Sequence, residues 1–136
     1  MSEPSEEKIK KSVAARWVHP ELFDEGFVGI PTRFLQLYPR LQPSLTSGEA
    51  IFVIQLMSFK WDEKDPFPSY KLLGERMGTS SKTAQRHATS LEAKRYLKRI
   101  QRIGDSNKFD LSGLFEALMI AKKKAPKRVK RGNKDE

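Results

Sequence analysis

Ser69-Tyr70-Lys71-Leu72-Leu73-Gly74-Glu75-Arg76-Met77-Gly78-Thr79-Ser80-Ser81-Lys82-Thr83-Ala84-Gln85-Arg86-His87-Ala88-Thr89-Ser90-Leu91 is the stretch that decides the fold. Ser69 has the hydroxyl of a helix cap, and a helix over Tyr70 to Met77 turns Leu72, Leu73 and Met77 to one side while Lys71, Glu75 and Arg76 stay wet. Gly78 suits the left-handed residue that closes such a helix, and Thr79-Ser80 caps the next. That next helix, predicted over Ser81 to Arg95, has a narrow apolar stripe at Ala84, Ala88 and Leu91. Continuing the stripe would require apolar residues near positions 95 and 98, where Arg95 and Lys98 stand, so the helix ends there. Two short helices on a tight turn make a helix-turn-helix, a device for laying its second helix along DNA.

The pattern changes immediately downstream. Tyr96 to Ile103 is rich in strand formers with basic residues on both faces, Gly104-Asp105-Ser106-Asn107 reads as a turn, and Lys108-Phe109-Asp110-Leu111 as the returning strand. A β-wing is the natural reading, while Leu97, Ile100 and Ile103 at intervals of three leave a helix as the alternative. Ser112 caps a last helix with Leu114, Phe115, Leu118 and Met119 on one face. Residues 122–136 are basic and lack apolar anchors, which predicts a disordered tail.

Upstream, Thr46-Ser47-Gly48-Glu49 has the spacing of a capping box. Ile51 to Met57 is apolar nearly all round, so periodicity alone leaves helix or buried strand open; the cap decides for a central helix from Ser47 to about Phe59. Residues 15–43 form an aromatic arm (Trp17, Phe23, Phe27, Phe34) interrupted by Pro20 and Pro31, with a short strand over Phe27 to Ile30 and a short helix from Pro31 to Leu37. Residues 1–14 read as a disordered tail. The expected fold class is mainly α with a small β-wing, a winged helix-turn-helix over residues 44–121.

Charge follows this division. The net charge is +9, yet residues 1–68 hold 8 Lys and Arg against 10 Asp and Glu, whereas residues 69–109 hold 10 against 3 and residues 110–136 hold 8 against 4. A polyanionic partner follows, because each phosphate met by Lys or Arg releases condensed counterions. There are no cysteines, which excludes disulfides, Cys-ligated zinc and thiol nucleophiles. No apolar run approaches the roughly 20 residues that span a bilayer, and the acidic start is unlike a signal peptide, so a cytoplasmic, nucleoid-associated protein without a membrane partner is expected. His19 and His87 fall on different elements, and neither a glycine-rich phosphate loop nor a carboxylate–histidine cluster exists, so no enzyme activity and no cofactor or metal is expected.

Candidate DNA-binding residues follow from the geometry of a helix in the major groove, which needs one small apolar face and one bearing long polar side chains. Gln85 can meet adenine through a paired donor and acceptor, and Arg86 can meet guanine or a phosphate. Lys82 and Thr89 share that polar face, and Ser80, Ser81 and Thr83 lie near the helix start, where free amides favour phosphate. Lys98, Arg99, Arg102 and Lys108 of the wing can straddle a phosphate backbone, dip into the minor groove, or simply keep an edge strand from aggregating. Lys127 and Arg128 of the tail add phosphate contacts that are blind to sequence. His87 is expected to pack beside the apolar stripe.

Phe27-Val28-Gly29-Ile30-Pro31, Leu45 to Glu49, Phe67-Pro68-Ser69-Tyr70-Lys71-Leu72-Leu73 and Met77 to Arg86 together make the chain resemble the winged-helix domains of bacterial, plasmid and phage replication initiators, including the DnaD-type primosome proteins. The resemblance implies a winged helix whose recognition helix follows Ser80, double-stranded DNA as partner, and a role in replication initiation. The alternatives are a transcriptional regulator, or an interaction module that dimerises through residues 15–43 and contacts replication or transcription proteins. Arg95 stands where such domains usually place a glycine, and Ala84 and Ala88 are smaller than their usual branched residues.

Overall fold

The computed structural model describes residues 5–125. Its elements are α1 (Glu6–Arg16), a 3₁₀ turn (Pro20–Phe23), α2 (Thr32–Leu37), a second 3₁₀ turn (Tyr38–Arg40), α3 (Ser47–Ser58), α4 (Tyr70–Arg76), α5 (Ser81–Ala93), the strands β1 (Lys98–Arg102) and β2 (Asp105–Asp110), and α6 (Ser112–Lys124). This is a winged helix-turn-helix, mainly helical with one two-stranded antiparallel sheet.

The core forms around α3, which buries Ala50, Phe52, Val53 and Leu56, and the capping box at its start is complete. The Thr46 hydroxyl accepts from the Glu49 amide at 3.1 Å, and the Glu49 carboxylate accepts from the Thr46 amide at 2.8 Å. Around α3 the Ala84, Ala88 and Leu91 stripe of α5 is fully buried with Leu73 and Leu114. Phe52 and Phe109 are the largest fully buried side chains, and burying each of the leucines stabilises the fold by about 2 kcal/mol relative to exposing it.

The turn between α4 and α5 is tight enough to constrain residue choice. A Cβ on Gly74 would stand 2.7 Å from the carbonyl carbon of Ser80, so only glycine allows the chain to double back this closely. The Thr79 amide donates to the Gly74 carbonyl at 2.8 Å, Gly78 takes φ +67°, and the Ser80 hydroxyl accepts from the Thr83 amide at 3.1 Å. Each of these bonds satisfies a group that a helix end leaves orphaned.

Helix α5 stops at Ala93, two residues before the expected Arg95. Arg95 takes φ +67°, the Tyr96 amide donates back to the Leu91 carbonyl and the Arg95 amide to Glu92, which closes the helix in the way a glycine normally would. The reversal turns Tyr96 and Leu97 into the core. The strands then pair Lys98 with Asp110, Arg99 with Phe109, Ile100 with Lys108 and Arg102 with Asp105, leaving Ile103 and Gly104 as a turn shorter than the expected Gly104–Asn107. Phe109 anchors the wing root, edge-on to Phe52 and Tyr70, and its amide donates to the Pro66 carbonyl at 2.9 Å.

Four further expectations are corrected. The tail expected to be disordered over residues 1–14 is helical from Glu6 onward; Ser5 caps it, Glu6 and Glu7 sit in its first turn and Arg16 in its last, so caps and dipole rather than an apolar stripe define it. Phe27 to Ile30 forms no strand, because the only sheet among the described residues is the wing and nothing pairs with this segment. Ser112 is the first residue of α6 rather than its cap; the Asp110 carboxylate accepts from the Ser112 amide at 2.8 Å, which pulls its pKa down. Helix α6 carries Lys122, Lys123 and Lys124 in its last turn, where cations complement the dipole, so the expected tail is helical as far as Lys124.

One buried charge links these parts. Glu49 is 2% exposed, and besides capping α3 it accepts from Lys94 Nζ at 2.6 Å and from the Ser90 hydroxyl at 2.5 Å. Burial alone would raise its pKa, but the bonds from Lys94, Ser90 and the Thr46 amide together hold it below the usual carboxylate range. The stabilisation is therefore present above the unfolded carboxylate pKa and disappears as pH falls through the lower folded value. Glu49→Ala leaves the Lys94 ammonium without its partner and should cost about 3 kcal/mol in denaturant unfolding. Glu49→Gln should flatten the decline in stability that the wild-type protein shows below the carboxylate range.

Candidate nucleic-acid interface

The outward face of α5 is built by the same spacing that buries its alanines. With Ala84 and Ala88 turned inward, Lys82, Gln85, Arg86 and Thr89 fall on the opposite side, and all four are exposed. Lys82, Gln85 and Arg86 have no hydrogen-bond or ion-pair partner among the described residues, so their full donor capacity faces solvent. Ser80 and Ser81 are exposed at the helix start. Thr83 is half-buried, and its hydroxyl accepts from the Ser80 hydroxyl at 3.1 Å, which places it in the cap rather than on the outward face. His87 packs beside the stripe, its ring 6.0 Å from that of Phe52 and close against Gly48.

The wing divides its cations into two kinds. Lys98 and Lys108 are exposed; Lys98 faces Asp110 across the strand pair and lowers its pKa, while Lys108 has no partner among the described residues. Arg99, expected as a DNA contact, is instead held inside the protein: its Nη2 donates to Glu92 at 2.6 Å, its Nε to the same oxygen at 3.1 Å, and Nη1 lies 3.3 Å from both the Tyr70 and Thr89 hydroxyls. The Glu92 carboxylate also accepts from the Arg99 amide. The bonds from Arg99 lower the Glu92 pKa, and those to Glu92 and Tyr70 raise that of Arg99, so the pair stays charged through the neutral range.

Arg102 is likewise drawn inward. Its guanidinium lies 4.5 Å from the Phe67 ring centre, Nε donates to the Ser106 carbonyl at 2.7 Å, and Nη2 is 3.4 Å from Asp105. A planar, weakly hydrated guanidinium suits both places: Arg99 binds a fork of acceptors, whereas Arg102 makes one hydrogen bond and stacks on Phe67, its buried Nη2 having only the ion-pair contact with Asp105. Lys127 and Arg128 lie outside the described residues.

Sequence reasoning missed the residues that set the wing's position: Glu92, Tyr70, Phe67 and Asn107, whose side-chain amide reaches the Tyr70 hydroxyl at 3.5 Å. One signal was available, since Glu92 is the sole acidic residue between Glu75 and Asp105. An acid alone in so basic a stretch has cations on every side to bind. The result is an exposed face of α5 and a wing fixed to each other, with exposed positive charge at Lys82, Arg86, Lys98 and Lys108. No described helix is long and apolar enough to cross a membrane.

Comparison with known proteins agrees with this geometry. Residues 44–97 match the family model of a helix-turn-helix domain, the span from the end of the arm to the start of the wing. No curated protein matches the chain. Among solved structures, the N-terminal domain of DnaD protein from Geobacillus kaustophilus HTA426 is similar at 25% identity, covering 84% of this chain and 90% of that one, with a TM-score of 0.59. The chain is a winged helix-turn-helix protein similar to that DnaD domain, and the likeness supports DNA binding.

Proposed function

We propose that this is a non-enzymatic protein that binds preferred sites on double-stranded DNA in the initiation of plasmid, phage or chromosomal replication. Helix α5 enters the major groove, Gln85 and Arg86 read base edges, and Ser80, Ser81, Lys82, Lys98 and Lys108 meet phosphates. Lys127 and Arg128 add attraction without sequence preference. The observation that carries this reading is the pair of unencumbered long side chains, Gln85 and Arg86, on the exposed face of α5. The similarity to a DnaD domain favours replication over transcriptional control.

Selecting bound DNA from random duplexes at two salt concentrations tests it, with enrichment of a defined site expected. Against that site, Gln85→Ala with Arg86→Ala should lower affinity about 100-fold, since each bidentate base contact is worth about 1–3 kcal/mol, while binding to bulk DNA falls much less. Equal losses on both would reduce the helix to a phosphate clamp.

The wing gives a test by sign. Glu92 and Arg99 act as a brace in this reading, so Glu92→Gln and Arg99→Gln should each weaken DNA binding about threefold to tenfold, and the double variant should be no worse than either alone. If Arg99 touched phosphate directly, removing the Glu92 charge would strengthen binding instead.

A specific observation also favours self-association through the arm. Trp17 is 64% exposed, Val18 76% and Leu22 61%, a cluster of large apolar side chains where α1 meets the Pro20–Phe23 turn, and the principal packing of α1 is against that turn. Light scattering should show a dimer that Trp17→Asp with Leu22→Asp converts to monomer, without loss of helical signal.

A further inference from the structure

The apex of the wing carries a side chain that violates local rules. Ile103 and Gly104 form the entire loop between β1 and β2, and Gly104 takes φ +71°. Two-residue hairpin loops favour glycine, asparagine and aspartate, whose side chains suit the turn and its exposure to water. Ile103 is neither small nor polar, and at 106% relative exposure it touches nothing in the fold. Departures of this kind from local preference mark positions kept for function.

The surroundings of Ile103 narrow what it meets. Beneath it the hairpin is braced by Arg102 over Phe67 and by the Arg102 bond to Ser106, so the apex is held stiffly. The carboxylate at the apex, Asp105, is 3.4 Å from Arg102, which offsets its charge. Lys98 and Lys108 are exposed cations lower on the hairpin, Lys98 opposite Asp110. The wing root touches the outward face of α5, where Arg99 Nη1 is 3.3 Å from the Thr89 hydroxyl. Four residues of strand carry Ile103 about 13 Å beyond that point, comparable to the width of the major groove. In the DNA-bound arrangement proposed above, an apex at that reach can meet the neighbouring minor groove.

We infer that Ile103 is an apolar wedge that enters the minor groove and bends the duplex. This rests on the DNA-binding reading above. Apolar side chains inserted between base steps unstack them and kink DNA by roughly 20–90°, most easily at pyrimidine–purine steps. The lysines lower on the hairpin supply the attraction to phosphate that brings the apex down. A bend of this kind would give a replication protein a means of easing strand opening beside its site.

Because Ile103 packs against nothing, its replacement leaves the fold intact and the test is direct. Ligase-driven closure of a roughly 100-base-pair linear duplex, shorter than the DNA persistence length of about 150 base pairs, reports bending without knowledge of the target. The full chain should accelerate closure about tenfold at saturation. Ile103→Ser and Ile103→Ala should lose that acceleration while affinity, followed by fluorescence anisotropy, stays within about fivefold. Ile103→Leu should retain it. Closure by Ile103→Ala equal to wild type overturns the inference, as does a wild-type protein that binds the duplex and leaves closure unchanged; the DNA-binding reading survives both. A wild-type protein with no affinity for any duplex overturns the inference together with the reading beneath it. A change of mass in light scattering on Ile103→Ser, with bending unaltered, assigns the apex to a protein contact and also overturns it.

Discussion

The carboxylate of Glu49 fixes the start of α3 and the end of α5 with the same two oxygens. Thr46 binds it from its own helix, and Ser90 and Lys94 from the last turn and cap of the recognition helix. A buried charge with fewer partners would be costly, because desolvation removes several kcal/mol of hydration. With three donors converging on it, that cost becomes a geometric requirement: α5 must present Ser90 and Lys94 toward α3. One rotation about the helix axis satisfies this, and it is the rotation that also buries Ala84, Ala88 and Leu91. The outward direction of Gln85 and Arg86 follows from the position of Glu49, on an element that itself contacts no DNA in this reading.

A second acid repeats the device at the wing. Glu92 and Glu49 lie on different elements, yet each takes a cation from the basic half of the molecule and uses it for structure. Lys94 and Arg99 each hold a carboxylate of their own chain, and Arg102 holds Phe67 and Asp105. The basic stretch is therefore less of a uniform electrostatic patch than its composition suggests. Its exposed charge includes Lys82 and Arg86 on the helix and Lys98 and Lys108 on the wing, with Lys71 and Arg95 beside them.

Local rules made much of this legible in the sequence. The capping box at Thr46, the left-handed Gly78, the Ser80 cap and the alanine stripe each depend on neighbours within a few positions, and the structure places all four as their chemistry requires. Interactions across greater separation were not legible. Nothing in the spacing of Arg99 says that Tyr70 and Glu92 will converge on it, so its internal bonds could be found only in the fold. The strand expected over Phe27 to Ile30 failed for the complementary reason: strand propensity describes a residue's fit to a sheet, and no neighbouring strand is there among the described residues. Helix α1 escaped because its signals are caps and charges, with Ala14 alone buried.

The size of the recognition face bears on how such a protein finds a site. If Gln85 and Arg86 read bases as proposed, two contacts worth about 1–3 kcal/mol each give discrimination of roughly 30-fold to 10⁴-fold, whereas a genome offers on the order of 10⁶ or more competing positions. Phosphate contacts by the lysines raise affinity everywhere and leave this ratio unchanged. In the proposed role, a single copy of this domain is therefore short of the specificity that selection of one origin demands. Two routes remain open to the chain as built. Deformation of the duplex by the wing adds sequence dependence at base steps that α5 never reaches, and pairing of copies through the exposed Trp17 and Leu22 surface multiplies two modest ratios into one large one. Both draw on apolar side chains left in water by the isolated fold, at the arm and at the wing apex, so the exposed hydrophobic residues and the shortfall in base contacts have a common explanation.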